Sequence, residues 1–571
     1  MGSELGLTTE SEPEVKLDGV GIWWTCWTSI WSVILFCGMG YLIWNRHAQV
    51  LRIRGIGLSL TAVMTLHLYW LSVQLGYVLG AVTPGDAEFW IMGTYLPLGI
   101  ALFHASNSRF LYVAKAQQRY LDHLVDGPVE SRRAVGILGR FKKLDYTSRI
   151  VILVGSGMCL QLFLVILMYL VSRKFHHSWG IPGTEIYGTE LEQTIQMGRG
   201  WEWWPSILWQ FVWAWFIAPY ILWKSRNISD THGWRFQTIG CALAGLHATP
   251  MWLIALYVPA MEPVNKYFIP PQWIAVSIWI LEILAVFIPC WEVMRASNLK
   301  QETLESIKQW ETKIHASVSG AKSVNTASTV VDSLMTGHKS HAASTKSTDS
   351  QESILTMSAL EYVLERNPTP LQEFSSLRDF SGENIAFLTC VADWKTSLPQ
   401  AARSGTKDEV TRELVRERFN RALRIYAEFI SIKDAEFPIN ISSPELKKLE
   451  IIFESSARIL YGEKRDVDPA IPFDEPTRHG RKASDATSMD ESEKKMEGAA
   501  PVEDRVQFWG EIPDSFDETV FDGPEQQIKY LVLTNTWPKF VKDRRHSMAS
   551  DEVAEKGRSI LQMIRERRFK A

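Results

Sequence analysis

Seven stretches of the chain are apolar over about the 20 residues that a helix needs to cross a bilayer. Polar loops separate them. They run roughly from Ile22 to Trp44, Leu58 to Val82, Phe89 to Val113, Ile150 to Ser172, Trp203 to Trp223, Phe236 to Val258, and Gln272 to Met294. The pattern predicts a seven-helix transmembrane domain over residues 22–295, preceded by a tail of residues 1–21.

The basic residues in the loops predict how this domain is oriented, because cytoplasmic loops retain Lys and Arg. The loops 45–57, 114–149 and 224–235 carry fourteen Lys and Arg residues, against five in the N-terminal tail and the three alternate loops. We therefore expect the tail to be extracellular and everything after Arg295 to be cytosolic, with the plasma membrane as the expected location.

The hydrophobic pattern changes after Arg295. A polar helix with one apolar stripe can continue the last span to about Ala316, and a Ser/Thr-rich linker completes the region 296–353. Helical periodicity returns over residues 354–545, interrupted at about 462–511 by a segment rich in charge, Pro and Ser that predicts disorder. The expected fold class is all-α throughout: a transmembrane bundle and then a cytosolic helical bundle with a long disordered insertion.

One helix of the second bundle has a well-defined pattern. In "FSGENIAFLTCVADWK" the apolar positions recur at helical spacing, and Ser381 is placed to cap the first turn. Glu383 and Asn384 keep the start of the helix polar. The pattern predicts that one face packs while the polar start is exposed and available to a partner. The packed positions are Phe380, Phe387, Leu388, Val391 and Trp394.

Four blocks, "FSGENIAFLTCVADWK", "IYAEFI", "INISSPE" and "FDGPEQQIKYLVLTNTWPKFVK", occur in this order. Together they resemble the regulator of G-protein signalling (RGS) domain, a helical bundle that accelerates GTP hydrolysis by Gα subunits. Their attachment to seven spans is similar to the seven-transmembrane RGS proteins of fungi and plants. The resemblance implies a GTPase activator that is not itself an enzyme, has no catalytic residue and no cofactor, and faces Gα with Glu383, Asn384, Asn440, Leu531, Asn535 and Lys539.

Two of these positions depart from the family's usual residues. Asn535 stands where Asp is usual, and Lys539 stands where Arg is usual. Asn loses the charge-assisted part of a hydrogen bond, and Lys lacks the bidentate fork of Arg. The departures bear on affinity and on the choice of Gα, not on the fold.

Ionisable side chains inside a span are costly and suggest function. Such side chains lie in spans two, three, six and seven. The alternative to a functional role is, for each of them, a role in helix packing. For Glu282 the packing partner would be a facing histidine or a Trp indole. The candidates for a ligand or proton site are His67, His104, His247 and Glu282. The seven-helix half thus allows sensing of an extracellular small molecule.

Two other classes of function remain open. The chain could be a receptor that activates Gα by nucleotide exchange and uses the RGS-like domain as a dock, or a non-catalytic membrane scaffold. Span three ends in "SNSRFLYV" without Asp-Arg-Tyr, and span seven has neither Asn-Pro-x-x-Tyr nor a lysine. The exchange hypothesis and a retinal Schiff base therefore lack their usual residues.

The net charge and the basic segments outside the loops give a few further predictions. A net charge of -4 does not suggest nucleic acid as a partner, and no metal site is expected. Basic runs before Ser484 and Ser547 predict phosphorylation sites in both places. The tail 546–571 mixes apolar and basic residues, which favours contact with anionic membrane lipids, although packing of the tail on the bundle is an equal alternative.

Overall fold

The computed structural model describes residues 14–122, 146–176, 178–316, 354–397, 409–462 and 507–547. Most of the expected linker, the insertion with Ser484, and the tail after Ser547 lie outside this range. The described chain divides into two compact units. The first, here the membrane unit, contains the residues up to Glu302 and the segment Glu373–Phe380; the second, the C-terminal unit, contains the rest.

The membrane unit has seven helical segments long and apolar enough to cross a membrane, as the pattern predicts. Span three begins four residues before its expected start at Phe89, and the helix of span seven continues without a break to Ala316. The spans are Gly19–Trp44, Ile56–Leu79, Gly85–Leu121, Ser148–Val171, Trp201–Ser225, Trp234–Tyr257 and Gln272–Gln309. The shorter helices Gln49–Arg54, Glu190–Met197 and Glu262–Asn265 lie between them.

Every regular element in the described ranges is helical, apart from an isolated bridge between Ser172 and Ile181. The C-terminal half contains the helices Met357–Arg366, Thr369–Leu377, Gly382–Thr396, Glu409–Ile425, Ser443–Tyr461 and Asp522–Leu531. The last of these continues through a π segment to residue 547. The all-α class is therefore confirmed.

Proline positions explain three irregularities in these helices. The π segments Trp213–Ile217, Ile283–Phe287 and Val532–Thr536 each end two residues before a proline. Proline has no N–H, and its ring collides with the carbonyl four residues earlier. Widening the preceding turn relieves that collision while the helix continues.

Polar contacts tie the loop ends of spans two and six together. Arg54 is buried, and its guanidinium donates to Gln237 Oε1 and to the carbonyl of His232, each at 2.6 Å. Burial lowers the pKa of Arg54 to about 10, so this side chain still carries its charge at neutral pH. Asp230 accepts from the backbone N–H groups of Trp234 and Arg235, which caps the start of span six.

The segment Glu373–Phe380 packs within the membrane unit. Thr231 Oγ1 donates to Asp379 Oδ1 at 2.9 Å, and His232 Nε2 lies 2.9 Å from the Asp379 carbonyl oxygen. Phe380 has φ 49° and is buried beside the rings of Phe110 and Trp234. A bulky residue rarely adopts this left-handed conformation, so the packing of its ring offsets a backbone cost.

Aromatic rings fill the core of the C-terminal unit. Phe521 contacts Phe387, Trp394 and Phe453 with ring centroids 5.2 to 6.3 Å apart. Trp537, fully buried, donates from Nε1 to the carbonyl of Ile354 at 2.9 Å, which joins the last helix to the start of the described range 354–397.

Gly55 provides a test of this fold. It has φ 65° between the Gln49–Arg54 helix and span two, and a Cβ there would lie 2.7 Å from Arg109 Nε. We expect Gly55→Ala to cost about 1 to 3 kcal/mol through backbone strain and this collision, seen as a lower melting temperature of the purified full chain in detergent. Gly40→Ala is the control, since a Cβ at Gly40 meets nothing within 4 Å; equal melting temperatures for the two variants would contradict the expectation.

Candidate functional site

The helix Gly382–Thr396 packs as its pattern predicts, but its polar start differs from expectation. The five expected packed positions, Phe380, Phe387, Leu388, Val391 and Trp394, are all buried. Glu383 and Asn384, expected to be exposed, are only 5% and 1% exposed. The expectation of an exposed start was therefore wrong, because residues 380–388 are buried on every face of the first two turns. Asn384 Nδ2 donates to Glu383 Oε1 at 3.3 Å.

Ser381 occupies the N-cap position but makes no side-chain cap hydrogen bond, which corrects the expected capping role. Its hydroxyl lies 3.2 Å from Thr536 Oγ1 instead. Thr536 follows Asn535 on the last helix. This contact therefore brings the start of the "FSGEN" block next to the "TNTWPK" block, although the two are 155 residues apart in sequence.

A second contact joins the "INISSPE" loop to the same helix. The backbone N–H of Ser442 donates to Gln527 Oε1 at 2.7 Å, and Gln527 Nε2 donates to Ser442 Oγ at 3.1 Å. Gln527 lies one turn before Leu531. Three of the four blocks are thus joined through the last helix.

The remaining expected Gα-facing residues are more accessible than Glu383 and Asn384. Asn440 is exposed, in a loop held by the N–H of Ile439, which donates to the carbonyl of Phe429 at 2.8 Å. Leu531, Asn535 and Lys539 recur at intervals of four residues on the last helix and are half-buried. Their roles stay predictions.

In the membrane unit, Glu282 and His67 form one buried cluster. Trp31 Nε1 donates to Glu282 Oε2 at 2.6 Å, and His67 Nδ1 lies 2.9 Å from Glu282 Oε1. His67 Nε2 lies 3.1 Å from Ser32 Oγ. Both Glu282 and His67 are fully buried. The cluster joins spans one, two and seven, and these partners favour the packing alternative over an open ligand site.

The donors and acceptors of this cluster place one proton between His67 and Glu282. Ser32 Oγ donates its proton to the carbonyl of Thr28 at 2.7 Å, so its oxygen accepts from His67 Nε2–H. The contact between His67 Nδ1 and Glu282 Oε1 then holds a single proton, whichever atom carries it. Every polar atom of the Glu282 carboxylate has a partner.

His104 and His247 lie apart from this cluster. His104 stacks on Trp213 with ring centroids 5.3 Å apart and borders a cavity of about 50 Å³ with Gln210 and Thr249. His247 separates the helices Trp234–Leu246 and Ala248–Tyr257. Pro250, which cannot donate to the carbonyl of Leu246, accounts for that break. The four candidates therefore do not form one site.

Sequence reasoning missed Trp31, Ser32 and Glu88. Nothing in the pattern separates Trp31 from its tryptophan neighbours in span one, and Ser32 is an ordinary residue for a span. Glu88 lies just before the expected start of span three and was therefore not counted among the charges inside a span. In the described part of the chain, no group of three or more His, Cys, Asp or Glu side chains could hold a metal ion.

No protein-family model matches the chain, and no curated protein or solved structure matches it either. Its function is therefore inferred from its own residues and their geometry.

The Glu282 cluster leads to a stability prediction. Glu282→Leu leaves the Trp31 indole without an acceptor and His67 Nδ1 without a hydrogen-bond partner, and each buried orphaned group costs roughly 1 to 3 kcal/mol. Glu282→Gln is the matched control, because its amide can accept from Trp31 and donate to His67 Nδ1. We expect Leu to lower the melting temperature of the full chain in detergent far more than Gln does. Equal losses would show that the charge, not the hydrogen bonds, stabilises the bundle.

Proposed function

We propose that this protein is a membrane-anchored activator of Gα GTP hydrolysis that attenuates G-protein signalling. The C-terminal unit is the acting part, and the seven spans hold it in the membrane where Gα resides. The observation that carries the proposal is the convergence of the RGS-like blocks, linked by the contacts of Ser381 with Thr536 and of Ser442 with Gln527.

The mechanism needs no catalytic residue from this chain. In Gα the arginine is supplied in cis and a glutamine orients the attacking water, so the rate depends on how well mobile switch segments hold that arrangement. A surface that binds the transition-state arrangement better than the ground state raises the rate. Asn440 would lie nearest that glutamine and water, while Glu383, Asn384 and Asn535 would brace the switch backbones.

The burial of Glu383 and Asn384 adds a requirement. Side chains that are 5% and 1% exposed cannot contact a partner where they stand. Engagement of Gα through them needs a movement that uncovers the first turn of the Gly382–Thr396 helix. Asn440 is already exposed and can make contact first.

The membrane unit is proposed to place the N-terminus outside and the C-terminal unit in the cytosol, following the fourteen basic residues of the loops on that side. It is also proposed to respond to an extracellular small molecule and thereby to control the activator. Anionic lipids at the inner leaflet are the proposed partner of the basic tail.

One experiment separates the three classes of function. The full chain in lipid nanodiscs is added to GTP-loaded Gα, and single-turnover hydrolysis and nucleotide exchange are measured separately. An activator raises hydrolysis alone, and an exchange receptor raises nucleotide release. A scaffold changes neither, and that result would contradict the proposal.

Asn440→Ala should abolish most of the acceleration while leaving the protein folded. Loss of one transition-state hydrogen bond costs about 2 to 4 kcal/mol, and the exposed position of Asn440 predicts little change in stability. Single-turnover rates at saturating full-length protein measure the effect. Asn367→Ala, at another exposed asparagine of the C-terminal unit, is the control; a wild-type rate for Asn440→Ala would remove Asn440 from the interface.

Restoring the family's usual residues should tighten binding. The double variant Asn535→Asp with Lys539→Arg replaces two weaker contacts by charge-assisted ones, each contributing about 1 kcal/mol, or about tenfold or more together. Affinity for Gα in its transition-state-mimic form, measured by biolayer interferometry, reports the change. Lys542→Arg, an exposed position on the same helix, controls for the Lys-to-Arg change. Weaker binding to every Gα tested would show that Asn535 and Lys539 serve another partner.

A further inference from the structure

A cavity of about 180 Å³ lies in the membrane unit at the end of the bundle where the N-terminal segment enters. The end of span two, the start of span three and the residues just before span seven enclose it. Val73, Leu79, Ile91, Met92 and Ile269 provide apolar walls. A cavity of about 150 Å³ holds a benzene molecule, so this one has room for a ring with a short substituent.

One carboxylate lies in this apolar wall. Glu88, in the first turn of span three, lines the cavity. No hydrogen bond or ion pair joins its side chain to any other described residue, in contrast to Glu282, whose two oxygens both have partners. A carboxylate beside apolar walls is costly unless a cation or hydrogen-bond donors accompany it.

Two of the three hydroxyl groups in the wall, those of Ser72 and Thr83, offer acceptors to the cavity. Ser72 Oγ donates to the carbonyl of Tyr69 at 2.7 Å, and Thr83 Oγ1 donates to the carbonyl of Leu79 at 2.8 Å. Each hydroxyl has only one proton, so what both offer to the cavity is lone pairs. Glu88, Ser72 and Thr83 therefore present acceptors beside the phenol of Tyr69, and the group that complements these three acceptors has several donors.

A primary ammonium group has that chemistry: three N–H donors, no acceptor and a positive charge. We propose that this cavity binds a small primary amine in its ammonium form, with the ammonium on Glu88 and an apolar body against Ile91, Met92 and Ile269. The site is distinct from the Glu282 cluster and from the blocks that would face Gα. The proposal does not depend on the activity of the C-terminal unit.

The test uses the full chain in nanodiscs with three probes of one shape: benzylamine, benzyl alcohol and benzoate. Binding is followed by the shift of melting temperature with probe concentration. We expect the amine to bind at concentrations about tenfold or more below those of the alcohol, as a hydrogen bond to a charged group contributes more than a neutral one. Benzoate should not bind. Equal binding of amine and alcohol would overturn the proposal, because the carboxylate would then contribute nothing.

Variants locate the site. Glu88→Gln should weaken benzylamine binding about tenfold or more and leave benzyl alcohol binding unchanged. Asp86→Asn is the matched control, since Asp86 is in the same helical turn but does not line the cavity; it should bind the amine as the wild type does. Wild-type affinity of a folded Glu88→Gln for the amine would overturn the site. If Glu88→Gln does not fold, the three-probe series on the wild type still decides.

Discussion

The absence of water from the bilayer core is the constraint on which the membrane unit depends. Every backbone N–H and C=O there needs a partner within the protein, and a continuous helix supplies nearly all of them. Proline removes a donor, and the chain responds with π segments before Pro219 and Pro289 that keep spans five and seven continuous. Side chains obey the same rule: Thr28 and Ser32 each donate to the carbonyl four residues earlier.

The same rule separates the acidic side chains of the membrane unit into two kinds. Glu282 is fully buried, and its two oxygens are matched by Trp31 and His67, so it joins three spans at a place that water does not reach. Glu88 stands at the end of the bundle, in the wall of a cavity that is otherwise mostly apolar. One carboxyl group completes the packing, and the other lines a cavity.

The C-terminal unit is organised differently because it folds around aromatic rings. Phe387, Phe453 and Phe521 hold together helices that are distant in the sequence. Two polar contacts, at Ser381 and Ser442, then bring the loop before one helix and the loop before another onto the last helix. Those two contacts hold three of the four sequence blocks together.

Hydrophobic periodicity by itself determined the seven spans, the continuation of span seven and the buried face of the Gly382–Thr396 helix, since burial of apolar side chains repeats with the period of the helix. Tertiary structure decided the rest. Glu383 and Asn384 look like the exposed start of a helix in sequence, but residues around them in three dimensions bury them. The pairing of His67 with Glu282, 215 residues apart, and the position of Glu88 in a cavity wall depend on which helix faces which. A local pattern shows that a side chain is polar; only the packing of distant segments shows whether it has a partner.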